Sequence, residues 1–286
     1  PGAPSLARLL DGLPISAAPF VVTLYGDVVA PRGGELWTGN IVETLGALGI
    51  AESRVRTALS RLVAAGRLEG AKEGRRSYYR LTPAAQQEFS SAARLIYAAP
   101  EPPPLGGWHL VLLPESGREA AAAALARLRF GLAAPQLALL PDRGTPLPPL
   151  PGLHFTAATE DPLPPSLAAA WPLADLAERM AGFVDRFDGL DPADLAGPEV
   201  LALRLALVHA FREIALRDPL LPPSLLPQDW PGPRARALFV RLYLACAPRS
   251  DALIAARWVS RAGPLRPDPA RLRRRLADMT GRASPS

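Results

Sequence analysis

Between residues 17 and 30 nearly every position is apolar, a run too long for one ordinary strand. It predicts a buried helix ending near Pro31, with Arg32, Gly33 and Gly34 as the turn. A second helix is predicted over 35–48, where Leu36, Ile41, Leu45 and Leu48 can share a face and Gly49 suits the stop. The third, over about 52–65 and stopped by Gly66, sets Val55, Leu59, Leu62 and Val63 in one stripe. Ser53, Arg54, Arg56, Thr57, Ser60 and Arg61 take its other side. Ala51 stands where a Ser or Asp cap is expected, with Ser53 as the nearest substitute. The period then drops to two. Residues 67–71 and 77–81 read as strands around a turn of Lys72, Glu73 and Gly74, with Tyr79 and Leu81 inward and Arg76, Tyr78 and Arg80 outward. Thr82 and Pro83 open a fourth helix reaching about Tyr97, striped by Phe89, Ala93, Ile96 and Tyr97.

Residues 100–107 are rich in proline and glycine and read as a stiff linker. Beyond them come a buried strand at 108–114, an alanine-rich helix at 120–129, and strands at 136–140 and 152–159. That order suggests a small ferredoxin-like α+β layer. From Asp175 the helical period returns. Leu176, Met180, Phe183, Val184 and Phe187 form one stripe, and Leu201, Leu205, Val208, Phe211 and Ile214 another. After a proline-rich stretch at 218–231, helices are predicted at about 234–247 and 251–261, followed by a last helix carrying Arg271 to Arg275 as a solvated end. The expected fold is α+β in three parts: a winged helix-turn-helix at 1–99, the ferredoxin-like domain at 108–172 and an all-α domain at 173–286.

Composition narrows the class. With 286 residues, 49% hydrophobic and 21% charged, the chain can bury more than one core. A single cysteine, Cys246, excludes an internal disulfide framework. Residues 1–30 lack a secretory pattern, and no apolar run of membrane-spanning length is free of a charge or proline, so a soluble cytoplasmic protein is expected. The net charge of +5 is unevenly spread: residues 51–81 hold eight Arg and Lys against three Glu, and residues 261–282 hold seven Arg against two Asp. An arginine-bearing helix face is often merely solvated. Here a hairpin with a basic tip follows the helix at once, and that order is how a winged helix meets DNA: the helix in the major groove, the wing on phosphates.

Catalytic signatures are missing by comparison. His109, His154 and His209 lie far apart, one cysteine cannot complete a zinc site of the usual spacing, and there is no nucleophile elbow, phosphate loop or dinucleotide fingerprint. Asp185, Asp188, Asp191 and Asp194 lack the glycine and terminal glutamate of a calcium loop and read as helix ends and caps, while Glu115 is a lone acid. No catalytic residue, metal or resident cofactor is expected. An acyl-CoA-metabolising or nucleic-acid-cleaving enzyme built on the middle domain is the alternative class, and an activator or adaptor a third.

Five segments carry a family resemblance: Leu24-Tyr-Gly-Asp27, Pro31-Arg-Gly-Gly-Glu-Leu-Trp37, Val55-Arg-Thr-Ala-Leu-Ser-Arg-Leu62, Gly74-Arg-Arg-Ser-Tyr-Tyr-Arg-Leu-Thr82 and the stretch 218–231 ending Gln228-Asp-Trp-Pro231. Together they resemble the PaaX family of transcriptional repressors, known for control of phenylacetic acid degradation. The resemblance implies the three-part plan above and release from an operator by phenylacetyl-CoA or a related acyl-CoA. A homodimer on a roughly palindromic double-stranded operator is expected. Ser53, Arg54, Arg56, Thr57, Ser60 and Arg61 would contact bases and phosphates, and Lys72, Arg75, Arg76, Ser77 and Tyr78 would form the wing contacts. The effector-binding residues are not singled out by the sequence.

Overall fold

A computed structural model describes residues 16–159 and 163–281. The fold is α+β, with a helical C-terminal region. By contacts the chain divides into two compact units. One falls within Pro1–Pro100, Val184–Arg212 and Arg236–Ser286; the other within Glu101–Phe183 and Glu213–Ala235. The first boundary lies in the proline-rich segment. Residues 173–286 do not stand apart as a third body, since their helices divide between the two units. Among the described residues no helix is long and apolar enough to cross a membrane.

In the first unit, α1 (Ala17–Leu24) widens into one π turn at Tyr25–Val29 and tightens to a 3-10 turn at Ala30–Arg32. It is apolar on every side because it is enclosed: Phe20, Val21, Leu24, Val28 and Val29 are all at most 1% exposed. The predicted second helix begins late. Glu35–Trp37 is instead a strand, β1, and α2 spans Thr38–Gly46. Strand pairing overrides the helical period there, because β1 joins β3 (Arg76–Leu81) in antiparallel register, Glu35 opposite Arg80 and Trp37 opposite Tyr78. β2 (Leu68–Glu73) completes a three-stranded sheet in the order β1-β3-β2.

Between them lies α3 (Glu52–Ala64), ended by Gly66 and a bond from the Arg67 amide to the Leu62 carbonyl, 2.9 Å. It buries Val55, Ala58, Leu59 and Leu62. Val63, assigned to this stripe by spacing, is 38% exposed, and Ala58 takes its place. No side chain caps α3, so Ser53 does not substitute for the missing cap. α4 (Pro83–Ile96) is capped by Thr82, whose hydroxyl accepts from the Ala85 amide at 3.2 Å. Leu201, Leu205, Ile254, Trp258 and Leu265 from the C-terminal region join the same core as α1 to α3. Leu59 lies at its centre, fully buried. Leu59→Ala should cost about 2–5 kcal/mol in chemical unfolding, through lost transfer energy and a residual cavity; a cost below roughly 1 kcal/mol would mean this helix is not seated as described.

The later elements depart further from the period. α7 (Gly197–Ala215) and α8 (Gly232–Arg257) follow α6 (Leu173–Phe187). A break was expected after Ala247, but α8 runs through Pro248. Anchors on both sides of the proline hold it, Tyr243 before, Ser250 and Asp251 after, all bonded to Arg204. The expected helix to Arg261 gives way to a small hairpin, β8 (Val259–Ser260) and β9 (Gly263–Pro264), before α9 (Pro269–Thr280).

In the second unit, β4 (Gly107–Leu112), α5 (Arg118–Arg127), β5 (Gly131–Ala134), β6 (Leu137–Asp142) and β7 (Leu153–Ala157) build one sheet in the order β5-β6-β4-β7. All its pairings are antiparallel. β5 escapes detection from sequence because Gly131-Leu-Ala-Ala134 has little β-propensity. Val111, Leu113, Leu125 and Leu140 fill one face, and Trp108, Leu139, Trp171 and Leu221 the other. His109 and His154 meet here, nitrogen to nitrogen at 3.1 Å, with Asp142 3.5 Å from His109. Burial pulls the His109 pKa below its ordinary value despite that carboxylate. Among the described residues no group of three or more His, Cys, Asp and Glu could hold a metal ion.

Candidate nucleic-acid interface

Burying Val55, Ala58, Leu59 and Leu62 fixes which face of α3 is left to solvent. At 3.6 residues per turn, Ser53, Thr57, Ser60 and Ala64 run along the middle of that face. Arg54 and Arg61 flank them on one side, Arg56 and Val63 on the other. All six polar residues singled out from sequence are exposed. Their engagement differs. Arg56 is held by Glu52 one turn earlier, at 2.7 Å, and the Thr57 hydroxyl donates to the Ser53 carbonyl at 2.9 Å. Arg54 and Arg61 border a groove of about 560 Å³, whose opposite wall is Ser16 to Pro19 at the start of α1.

The β2–β3 ribbon is longer and tighter than its sequence suggests. Lys72 and Glu73 belong to β2, leaving a two-residue loop of Gly74 and Arg75. Gly74 takes φ +56 at the first loop position, which a side chain would oppose and which matches the twist of a hairpin. Lys72 and Arg75 are exposed. Arg76 is exposed too, its guanidinium 5.0 Å from the centre of the Trp37 ring, a contact that aims it. Ser77 is half-buried, its carbonyl accepting from the Thr38 hydroxyl at 2.7 Å. Tyr78 corrects the sequence reading. It is 3% exposed, covered on the sheet face it shares with Trp37, opposite the face that meets the core, so it is withdrawn from any DNA surface. Tyr79, expected inward, packs against the core together with Leu81 and is half-buried.

Two segments of this chain match one family: residues 16–85 match the PaaX-like protein and residues 171–256 the PaaX-like protein C-terminal domain. Over 285 residues the chain is 33% identical to the transcriptional repressor PaaX of Escherichia coli strain K12, covering 91% of this chain and 90% of that protein. The chain belongs to the PaaX family. Among solved structures, an uncharacterized protein from Mycobacterium tuberculosis is similar at 25% identity, over 83% of this chain and 98% of that one, with a TM-score of 0.52.

The first family match contains both α3 and the ribbon, and it also contains the motif that anchors them. Tyr25 donates its hydroxyl to the Tyr79 carbonyl of β3 at 2.9 Å. Two residues on, Asp27 is wholly buried and accepts from Arg204 Nε at 2.7 Å, Tyr97 Oη at 2.8 Å, Tyr243 Oη at 2.9 Å and Arg275 Nη1 at 3.0 Å. The π turn leaves the Gly26 and Asp27 carbonyls available, and Arg275 takes both. Asp251 closes the far side, binding Arg204 at 2.6 Å and Arg32 at 2.7 Å. Burial alone pushes the Asp27 carboxyl upward, but Arg204 and Arg275 outweigh it and hold it below the ordinary carboxylate range. Burial likewise raises the Tyr97 hydroxyl well above its usual pKa, with the Asp27 charge adding to it. Cys246 beside this cluster is buried and its thiol is pushed up to about 12, which makes it inert.

Sequence reasoning missed Arg204 and took Arg271 to Arg275 as a solvated end. Arg275 is neither solvated nor free for DNA; its side chain is 10% exposed and lies over the Tyr97 ring at 4.0 Å. One signal was available for Arg204, a lone charge in the apolar run from Val200 to Val208. A second anchor holds the edge of the sheet. Glu35 of β1 accepts from Arg261 through its backbone amide at 3.0 Å and its guanidinium at 2.7 Å. Asn40 bridges to the Arg257 carbonyl and the Val259 amide. The Asp191 carboxylate caps a turn by accepting from the Ala193 amide at 2.9 Å, as its position suggested.

Proposed function

We propose that this PaaX-family chain is a transcriptional repressor that reads DNA through a winged helix-turn-helix, with α2 and α3 as the helix pair and the β2–β3 ribbon as the wing. The observation that carries this is the exposed face of α3. Arg54 and Arg61 flank short hydroxyls there, and a basic hairpin follows in the same family-matched segment. Arg54, Arg56 and Arg61 have the reach for base edges, and Ser53, Thr57 and Ser60 the size for close approach to phosphates. Lys72, Arg75 and Arg76 suit the phosphate backbone beside the groove. The relative's description as a repressor supports regulation over catalysis. In the second unit, the antiparallel order β5-β6-β4-β7 with α5 as crossover supports a ferredoxin-like layer whose second helix is replaced by the proline-rich loop at 143–152.

The operator is roughly palindromic and the protein a cytoplasmic homodimer, its two α3 helices entering major grooves about 34–36 Å apart. The controlled genes belong to an aromatic-acid catabolic operon of the phenylacetate type. An aryl-acyl-CoA releases the repressor by binding one arrangement of the protein better than the DNA-bound one.

The wing gives the first test. Arg75→Ala should weaken binding to operator and unrelated duplex alike and lower the slope of log K against log salt by about 0.9. A change confined to sequence preference would contradict a phosphate role. Titrating the operator complex with phenylacetyl-CoA, other acyl-CoAs and free aryl acids tests the effector, and release by none of them would remove the sensor role.

A further inference from the structure

Between α4 and α9 the first unit has a cavity of about 310 Å³, lined by Phe89, Arg94, Tyr97, Arg271, Arg274 and Arg275 among others. Its charge is unbalanced. Four arginines face one carboxylate, Asp278, a formal excess of three. Two of those arginines are occupied: Arg275 is spent on Asp27 at 3.0 Å, and Arg271 reaches Asp268 at 3.4 Å and the Ala30 carbonyl at 3.3 Å. Arg94 and Arg274 are exposed and make no ion pair among the described residues. They come from different helices, Arg94 from the last turn of α4 and Arg274 from α9.

We propose that this cavity is a binding site for an organic phosphate, with Arg94 and Arg274 clamping a phosphate monoester and Phe89 and Tyr97 walling its less polar part. Charge count chooses the ligand class. A carboxylate satisfies one guanidinium, whereas a phosphate monoester near pH 7 carries between one and a half and two negative charges and offers three acceptor oxygens. The volume suits a compact ligand or the phosphate-bearing end of a longer one. Recession between two helices distinguishes the site from a convex patch laid against a DNA backbone. The consequence for control rests on the repressor reading above. A ligand here touches α4, whose cap Thr82 directly follows wing strand β3, and lies against Gly26 and Tyr97 beside Asp27.

Coenzyme A, which carries a phosphate monoester, and dephospho-coenzyme A, which lacks it, separate the possibilities when titrated calorimetrically into the full chain, with phenylacetate as the carboxylate control. The site predicts binding of coenzyme A that weakens about tenfold or more on losing the monoester, and by a similar factor in a folded R94Q/R274Q variant, since one lost charge-assisted bond is worth 1.5–3 kcal/mol or roughly tenfold and above. Equal binding by both ligands, or by variant and wild type, overturns it. A ligand-free variant that loses operator affinity while keeping coenzyme A binding also overturns it, by assigning the two arginines to DNA. Binding that depends on the two arginines but leaves the operator complex intact supports the site and removes ligand-induced release.

Discussion

Replacing Asp27 by Asn is expected to cost about 3–5 kcal/mol of folding stability, the range for breaking a buried ion pair from one side. The exchange is nearly isosteric, so packing is kept and the charge alone is lost. Arg204, with no exposed side-chain area, and Arg275, at 10%, would then share a neutral amide where they now share a carboxylate. Of five charged groups in the cluster, Arg32, Arg204 and Arg275 are positive and only Asp27 and Asp251 negative, so the variant keeps three cations against one anion. Acid should act in the same direction. Because the folded carboxyl is held below its unfolded value, its stabilisation is complete above about pH 4 and is lost as the pH falls toward the folded value. Urea unfolding across pH 2–7 checks both points. Wild type should lose stability on the acid side more steeply than the Asn variant, and a variant within about 1 kcal/mol of wild type at neutral pH would show that the cluster does not hold the unit together.

Removing Arg54 and Arg61 together should weaken operator binding by roughly 2–6 kcal/mol, between about thirtyfold and twenty-thousandfold, at about 1–3 kcal/mol for each base-reading arginine. The two lie seven residues apart, about 10 Å along the helix, so their effects should nearly add. Arg56→Ala provides the contrast. That arginine flanks the opposite side of the face beside Val63 and is engaged by Glu52. Breaking an exposed pair of this kind costs only about 0.3–0.5 kcal/mol, so Arg56 remains usable on DNA but is not aimed by the groove that Arg54 and Arg61 border. Neither exchange touches the core stripe, so both variants should unfold as wild type does.

The exposed face of α3 was legible because burying one stripe dictates it, and only Val63 was misplaced. The ribbon was legible for the same reason, and Tyr79 and Leu81 do take the core face. The burial of Tyr78 on the opposite face was not legible, because it follows from β1 pairing with β3 and setting Trp37 beside it, and a three-residue strand leaves too short a period to detect. What holds these elements was barely legible, beyond the lone charge of Arg204 in an apolar run. Asp27 and Arg204 are 177 positions apart, and Glu35 and Arg261 are 226 apart, so no local spacing records either pair. A proline that ordinarily ends a helix was overridden at Pro248 by the same cluster, through bonds on both sides of it.

On the proposed function, α3 reads sequence. Its most direct test is the ratio of affinities for the preferred operator, obtained by selection from a random duplex pool, and a scrambled duplex, at one fixed salt concentration. Wild type should prefer the operator by at least about a thousandfold, the lower range for specific readers, and the Arg54→Ala/Arg61→Ala variant should lose most of that preference while keeping its affinity for the scrambled duplex within about tenfold. A folded double variant with the wild-type ratio would place sequence reading elsewhere in the chain.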